Sequence, residues 1–297
     1  MRGAEQTPST MPSAQSTGLI SQSWHRLRRN HGAIVGMAML LVLGVIAIAG
    51  PYIAPHDPNA IDPDLVLKAP HGERLLGADQ FGRDILSRVL HGARLSLQLG
   101  ITTIGIAAAI GTIVGLFSGY KGGWSDFIIQ RATDLMLIFP SLLLALFVVA
   151  VMGSSIRNLM LAVAIAFVPI YIRLVRGSVL SAKENIYVDA ARAAGCTDLR
   201  IMRKHILPNV FAPIIVLATL GVGEAIVVAA ALGFLGLGAQ PPTPEWGAIA
   251  SDGRNFLRQA WWITTFPGIA IMLTVLALNI VGDALRDSLD PVIRRRM

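Results

Sequence analysis

Few residues of this chain have the types and spacing that chemistry needs. A phosphate-cradling loop needs a Gly-x-x-x-x-Gly-Lys-Ser/Thr run, whose backbone N–H groups and lysine meet the phosphates, and the 297 residues contain none. Gly-x-Ser-x-Gly and His-Glu-x-x-His are missing too, and no paired carboxylates suggest hydrolysis. The six histidines (His25, His31, His56, His71, His91, His205) show no ligand spacing, and one cysteine, Cys196, allows neither an internal disulfide nor a thiolate metal site. No cofactor is expected on this chain. One carboxylate stands apart: Glu224 lies in the middle of an apolar run, where an unpaired charge in hydrocarbon is costly, so it must face a cavity, a partner or a proton. Lining a translocation path and a neutralised packing carboxyl are equally open readings of Glu224.

The rest of the chain consists of elements that would hold such a group in a membrane. Charged residues make up 14% and hydrophobic residues 54%, and mean hydropathy is +0.61; soluble domains carry about a quarter charged residues. A helix needs about 20 mostly apolar residues to cross the hydrocarbon layer. Six runs approach or reach that length: 33–53, 95–118, 135–151, 159–172, 212–235 and 263–281. The third and fourth fill a span only with their flanks 127–133 and 173–176, long arginine side chains reaching back to the interface. The expected fold class is an all-α polytopic membrane protein with six transmembrane helices. In the second run Ala107, Gly111, Gly115 and Gly119 recur every four residues and predict a tight helix–helix seam. Arg131 and Asp134, three apart, are expected to pair along their helix.

Basic residues set the orientation. With the N-terminus cytoplasmic, 17 of the 25 Lys and Arg residues fall on the inner side and 8 on the outer, which predicts that both termini are cytoplasmic. The net charge of +7 therefore reflects orientation rather than attraction to nucleic acid. Residues 1–23, rich in Ser, Thr, Pro and Gln, are expected to form a disordered cytoplasmic tail. The basic Arg26, Arg28 and Arg29 before the first run imitate a secretory signal, but the run is long and five more follow, so it is expected to be a retained span. Two outer segments exceed simple turns, 54–94 and 236–262. Asp84, Ile85, Leu86, Val89 and Leu90 suggest a short interfacial helix in the first, and Trp261-Trp262 an interfacial anchor in the second.

The inner segment between the fourth and fifth runs has its own grammar. Asn185 stands where a helix cap belongs, Asp189 suits the first turns, Ala190, Ala191, Ala193 and Ala194 favour helix, and Gly195 supplies a left-handed stop. Thr197 then caps a second helix, with Leu199, Met202 and Ile206 as its apolar face and Pro208 as its end. Small alanines permit close approach, while Arg192, Arg200, Arg203 and Lys204 offer steering and rim contacts to a soluble partner. A generic basic loop would also fit these residues.

Asp189-Ala190-Ala191, then Gly195, then Leu207-Pro208 resemble the EAA loop of ABC importer permeases, the segment that docks into the ATP-binding subunit. Asp replaces the usual Glu and keeps its charge; His205 stands where Ile is common. The motif Leu76-Gly77-Ala78-Asp79-Gln80-Phe81-Gly82-Arg83-Asp84, the run Gly233-Phe234-Leu235-Gly236-Leu237-Gly238, and Gly282-Asp283-Ala284-Leu285-Arg286-Asp287 resemble the second permease of dipeptide and oligopeptide importers. The resemblance implies the type I ABC importer permease fold in a bacterial cytoplasmic membrane. It implies a heterodimer with a paralogous permease, two ATPase subunits that use the ATP, and an external substrate-binding protein. It also implies that Tyr187, Asp189, Ala190, Ala191, Arg192, Ala194, Gly195, Leu207 and Pro208 form the ATPase-coupling loop. The domains expected are the tail 1–23, a first span with its external loop 24–94, a permease core 95–283 holding the loop 185–208, and a cytoplasmic tail 284–297. Peptide, glutathione and nickel remain open as cargo. An ion-coupled secondary transporter is the rival of another class, although no inverted repeat is visible.

Overall fold

The computed structural model describes residues 31–289; the tail 1–23, Arg26, Arg28 and Arg29, and the end of the chain after residue 289 lie outside them. Helices follow one another as α1 His31–Ile53, α2 Ile85–Lys121, α3 Gly123–Ile138, α4 Ser141–Met152, α5 Ile156–Lys183, α6 Ile186–Ala193, α7 Asp198–Arg200, α8 Leu207–Phe234, α9 Trp246–Asp252 and α10 Trp262–Leu289. A π-helical segment Ile201–Ile206 joins α7 to α8. Five helical runs are long and apolar enough to cross a membrane, and the pair α3 and α4 makes a sixth if taken together.

That pair corrects the third expected span. Residues 135–151 do not form one rod, because Pro140 lacks an N–H and pushes Phe139 out of the helical region, to φ −86°, ψ 134°. The two halves meet at 95°. The fourth span is longer than expected: α5 continues through Arg173 and Arg176 to Lys183. Both arginines pair across helices. Arg173 binds Asp134, and Arg176 makes two 2.6 Å bonds to the two Asp126 oxygens. Asp134 is therefore taken by α5, and Arg131 lies instead over the Phe127 ring, 5.3 Å from its centre.

The bundle closes on the small-residue seam. A Cβ at Gly115 would stand 2.7 Å from the Ile172 carbonyl oxygen, and one at Gly119 would stand 2.9 Å from Val179 Cβ. Helix α2 lies along α5 more than along any other element. Around the seam, Leu99, Ile104 and Ala107 of α2 pack with Ala145 and Val149 of α4, Phe167 and Tyr171 of α5, and Ala225, Ala229 and Leu232 of α8. Helix α1 touches this bundle from outside, through Gly36 against Ile280 and Gly50 against the Leu90 carbonyl.

The segments 54–84 and 236–262 pack together at one end. The expected interfacial helix is the start of α2 itself: Asp84 caps it by accepting the Ser87 N–H at 2.9 Å, and Ile85 is fully buried. Trp262 is no lipid anchor either. It is 5% exposed and donates its indole N–H to the Ala78 carbonyl at 3.0 Å; Trp261 beside it remains open. Trp246 donates likewise to Val89. Several buried charges here meet in mutual pairs, which offsets their desolvation. Arg83 binds Asp79 at 2.6 Å and Asp252 at 3.0 Å, and Arg88, 1% exposed, reaches Asp252 at 3.5 Å and the Pro58 carbonyl at 3.3 Å. Burial pushes the Asp252 carboxyl above its ordinary range, and Arg88 and Arg83 oppose the rise.

Candidate functional site

At the other end of the bundle lies the segment 185–208. Asn185 occupies the cap position of α6, but its side-chain amide donates backward, to the Ser181 and Ala182 carbonyls at 3.0 Å each, so it closes α5 instead of opening α6. Thr197 stands at the cap of α7 and makes no capping bond. Gly195 has φ +76°, the left-handed stop its sequence position requires.

The apolar face of this segment differs from the one its sequence predicts. Leu199 is 70% exposed, while Ile201 and Ile206 are fully buried. The cause is the π-helical register: with i to i+5 bonding, residues five apart share a face, so Ile201 pairs with Ile206 and Leu199 turns outward. Pro208 likewise does not end a helix. It sits in the first turn of α8, where a missing N–H costs little, and 198–234 runs on as one span.

Val188 and Ala191 anchor α6 inward, in a cluster with Val175 and Val179 of α5, Ile201, Ile206, and Val210 and Ile214 of α8. Leu207 packs on its margin. Ala190, Ala194, Gly195 and Pro208 face outward. Asp189 is open and lies 3.4 Å from Arg192, whose guanidinium reaches over the Tyr120 ring. The Tyr187 hydroxyl accepts from Asn209 at 3.4 Å. A Cβ at Gly195 would meet nothing within 4 Å, so the space over the end of α6 is open. The outward surface thus holds Ile186 (85% exposed) and Leu199, the small Ala190 and Ala194, and a rim of Arg192, Arg200, Arg203 and Lys204. The sequence reading passed over Ile186 and placed Leu199 on the inward face. Their only signal is that large aliphatics stand in a polar segment where no lipid is expected.

Such a surface has the makings of a protein dock: an apolar centre with close backbone access and a basic rim. Glu224 lies far along α8, turned out of the protein core, with no hydrogen-bond or ion-pair partner among the described residues. The structure does not bring Glu224 together with the loop.

Residues 111–295 match the family of binding-protein-dependent transport system inner membrane components, and residues 18–70 match the N-terminal transmembrane domain of oligopeptide transport permease C. A dipeptide transport system permease protein of Alkalihalophilus pseudofirmus is 49% identical over 270 residues, covering 91% of this chain and 89% of that protein. A di/tripeptide transport system permease protein of Pseudomonas aeruginosa is 42% identical, with 99% of each chain covered. A glutathione transport system permease protein of Escherichia coli is 47% identical, covering 91% of this chain and 90% of its own. Among solved structures, an inward-facing form of the MetNI methionine ABC transporter superposes with a TM-score of 0.53 at 17% identity, over 68% of this chain and 96% of the other; this likeness speaks for the fold alone. The chain belongs to the binding-protein-dependent transport system inner membrane components: it is a membrane-spanning permease subunit of an ABC importer, which works with a separate ATPase and a substrate-binding protein.

Proposed function

We propose that this permease carries dipeptides or short oligopeptides across the bacterial inner membrane, paired with one paralogous permease and two ATPase subunits, and fed by an external binding protein. Peptide permeases at 42–49% identity over nearly the whole chain support that cargo. Glutathione, itself a tripeptide, is the second reading, favoured by the relative at 47% identity.

The outward surface of 185–208 carries the rest of the reading. Its end of the bundle faces the cytoplasm, and the ATPase closes on Ala190, Ala194 and Gly195, with Ile186 and Leu199 as apolar anchors. ATP stays on that partner; this chain holds no nucleotide. Closure moves α6 as a lever and rocks the bundle between inward and outward openings. Glu224 lines the path between them.

Replacing Gly195 by Trp tests the dock. The left-handed φ of +76° disfavours any side chain, and an indole would fill the open space above α6. In the reconstituted four-subunit complex, stimulation of ATP hydrolysis by loaded binding protein is expected to disappear. Stimulation at the wild-type level would overturn the docking assignment.

A further inference from the structure

The loop is continuous with α5 and α8, and its buried side chains pack between them. A third attachment leads elsewhere. At the end of α2, the Tyr120 hydroxyl donates to Asp198 Oδ1 at 2.9 Å, and Lys121 Nζ donates to Asp198 Oδ2 at 3.0 Å. The Arg192 guanidinium lies 5.8 Å from the centre of the same tyrosine ring. These contacts of Asp198 and Arg192 tie the loop to a helix with which it is not continuous.

This junction is ill suited to be a stabilising ion pair. The Asp198 and Lys121 side chains are 53% and 49% exposed, and pairs that open contribute little. Its geometry, however, is fixed by a buried group, since Tyr120 is 8% exposed and belongs to the same core cluster as Val188 and Ile201. The receiving helix is also built to carry motion. From Tyr120, α2 runs without interruption back to Ile85, pressed on α5 along Gly111, Gly115 and Gly119. At its far end the buried Arg88 is held by Asp252 and the Pro58 carbonyl, in the segments that close the opposite face of the bundle.

We propose that Asp198, received by Tyr120 and Lys121, is a positioning residue that conveys displacement of the loop into α2, and through α2 to the opposite end of the bundle. The proposal rests on the docking reading above and names the point where the docked loop grips a helix it is not part of. The alternative is that the loop acts only through its covalent neighbours α5 and α8, and that Asp198 merely holds its local shape.

The test uses the complete complex in proteoliposomes, with a radiolabelled dipeptide and its binding protein, and reads peptide imported per ATP hydrolysed. Tyr120→Phe keeps the buried ring and removes only the O–H; Asp198→Asn keeps the shape and removes the charge. Import per ATP is expected to fall at least about fivefold in each, with the thermal midpoint unchanged and the double variant no worse than Asp198→Asn alone. Asp198→Glu should recover part of the loss. A ratio within about twofold of wild type in both single variants would overturn the proposal. Loss of ATPase copurification would overturn it as well, by assigning the junction to assembly. Failure of the docking reading shows separately, in Gly195→Trp complexes that still respond to binding protein.

Discussion

Glu245 caps α9 from inside the protein. It is 2% exposed and accepts the Gly247 and Ala248 N–H groups at 2.9 Å each, with the Ser96 hydroxyl at 3.2 Å. Burial raises its carboxyl above the ordinary 4.5, more than these hydrogen bonds lower it. A carboxyl raised in the folded state contributes stability that is full below 4.5 and is lost as pH climbs through the raised value. Glu245→Gln cannot titrate. Thermal unfolding of detergent-solubilised protein should therefore show the wild type losing midpoint relative to Glu245→Gln between pH 5 and pH 8; a constant difference would contradict this. Glu224 has no such partners, which is why a path-lining role suits it and a cap role suits Glu245. From sequence alone the two glutamates differ only in the polarity of their neighbours, and the Ser96 contact spans 149 positions.

Among the elements, α2 has the most exacting surface. Its seam against α5 was visible as a four-residue period of Ala and Gly, because a helix places such residues on one face whatever it packs against. The partner was not visible. Gly115→Val would press against the Ile172 carbonyl and Val175, and overpacking of this kind costs about 1–3 kcal/mol. The measurement is urea or thermal unfolding in detergent beside Ile113→Ala, on the open face, expected to stay within about 0.5 kcal/mol. Pro140 and Pro208 have the same chemistry and opposite consequences. Pro140 breaks the third span, whereas Pro208 rests in a first turn directly after a π-helical segment and breaks nothing. That π register, with i to i+5 bonding, is also why a 3.6-residue period assigned Leu199 to the wrong face.

Across the whole molecule, the two ends differ in kind. One is closed by buried charges and pinned indoles, the other by an open basic surface. The sole cysteine belongs to the second end: Cys196 directly follows Gly195 and is partly exposed. If that end is cytoplasmic, a membrane-impermeant maleimide should label Cys196 in inverted vesicles and not in intact cells, and an assembled ATPase should slow the labelling. Labelling from outside intact cells would reverse the orientation. The sequence by itself determined that the chain crosses a membrane, since span length is a local count of apolar residues. It also determined that 185–208 carries a helix and a left-handed glycine, since propensity and φ are local too, whereas the caps expected of Asn185 and Thr197 did not form. Only the tertiary structure decided which charges meet, because Arg173 and Asp134, Arg88 and Asp252, or Tyr120 and Asp198 lie far apart in the chain and become neighbours through helix packing. It also decided which apolar faces look outward. Lipid and protein interior are equally apolar, so periodicity locates a face without saying what covers it.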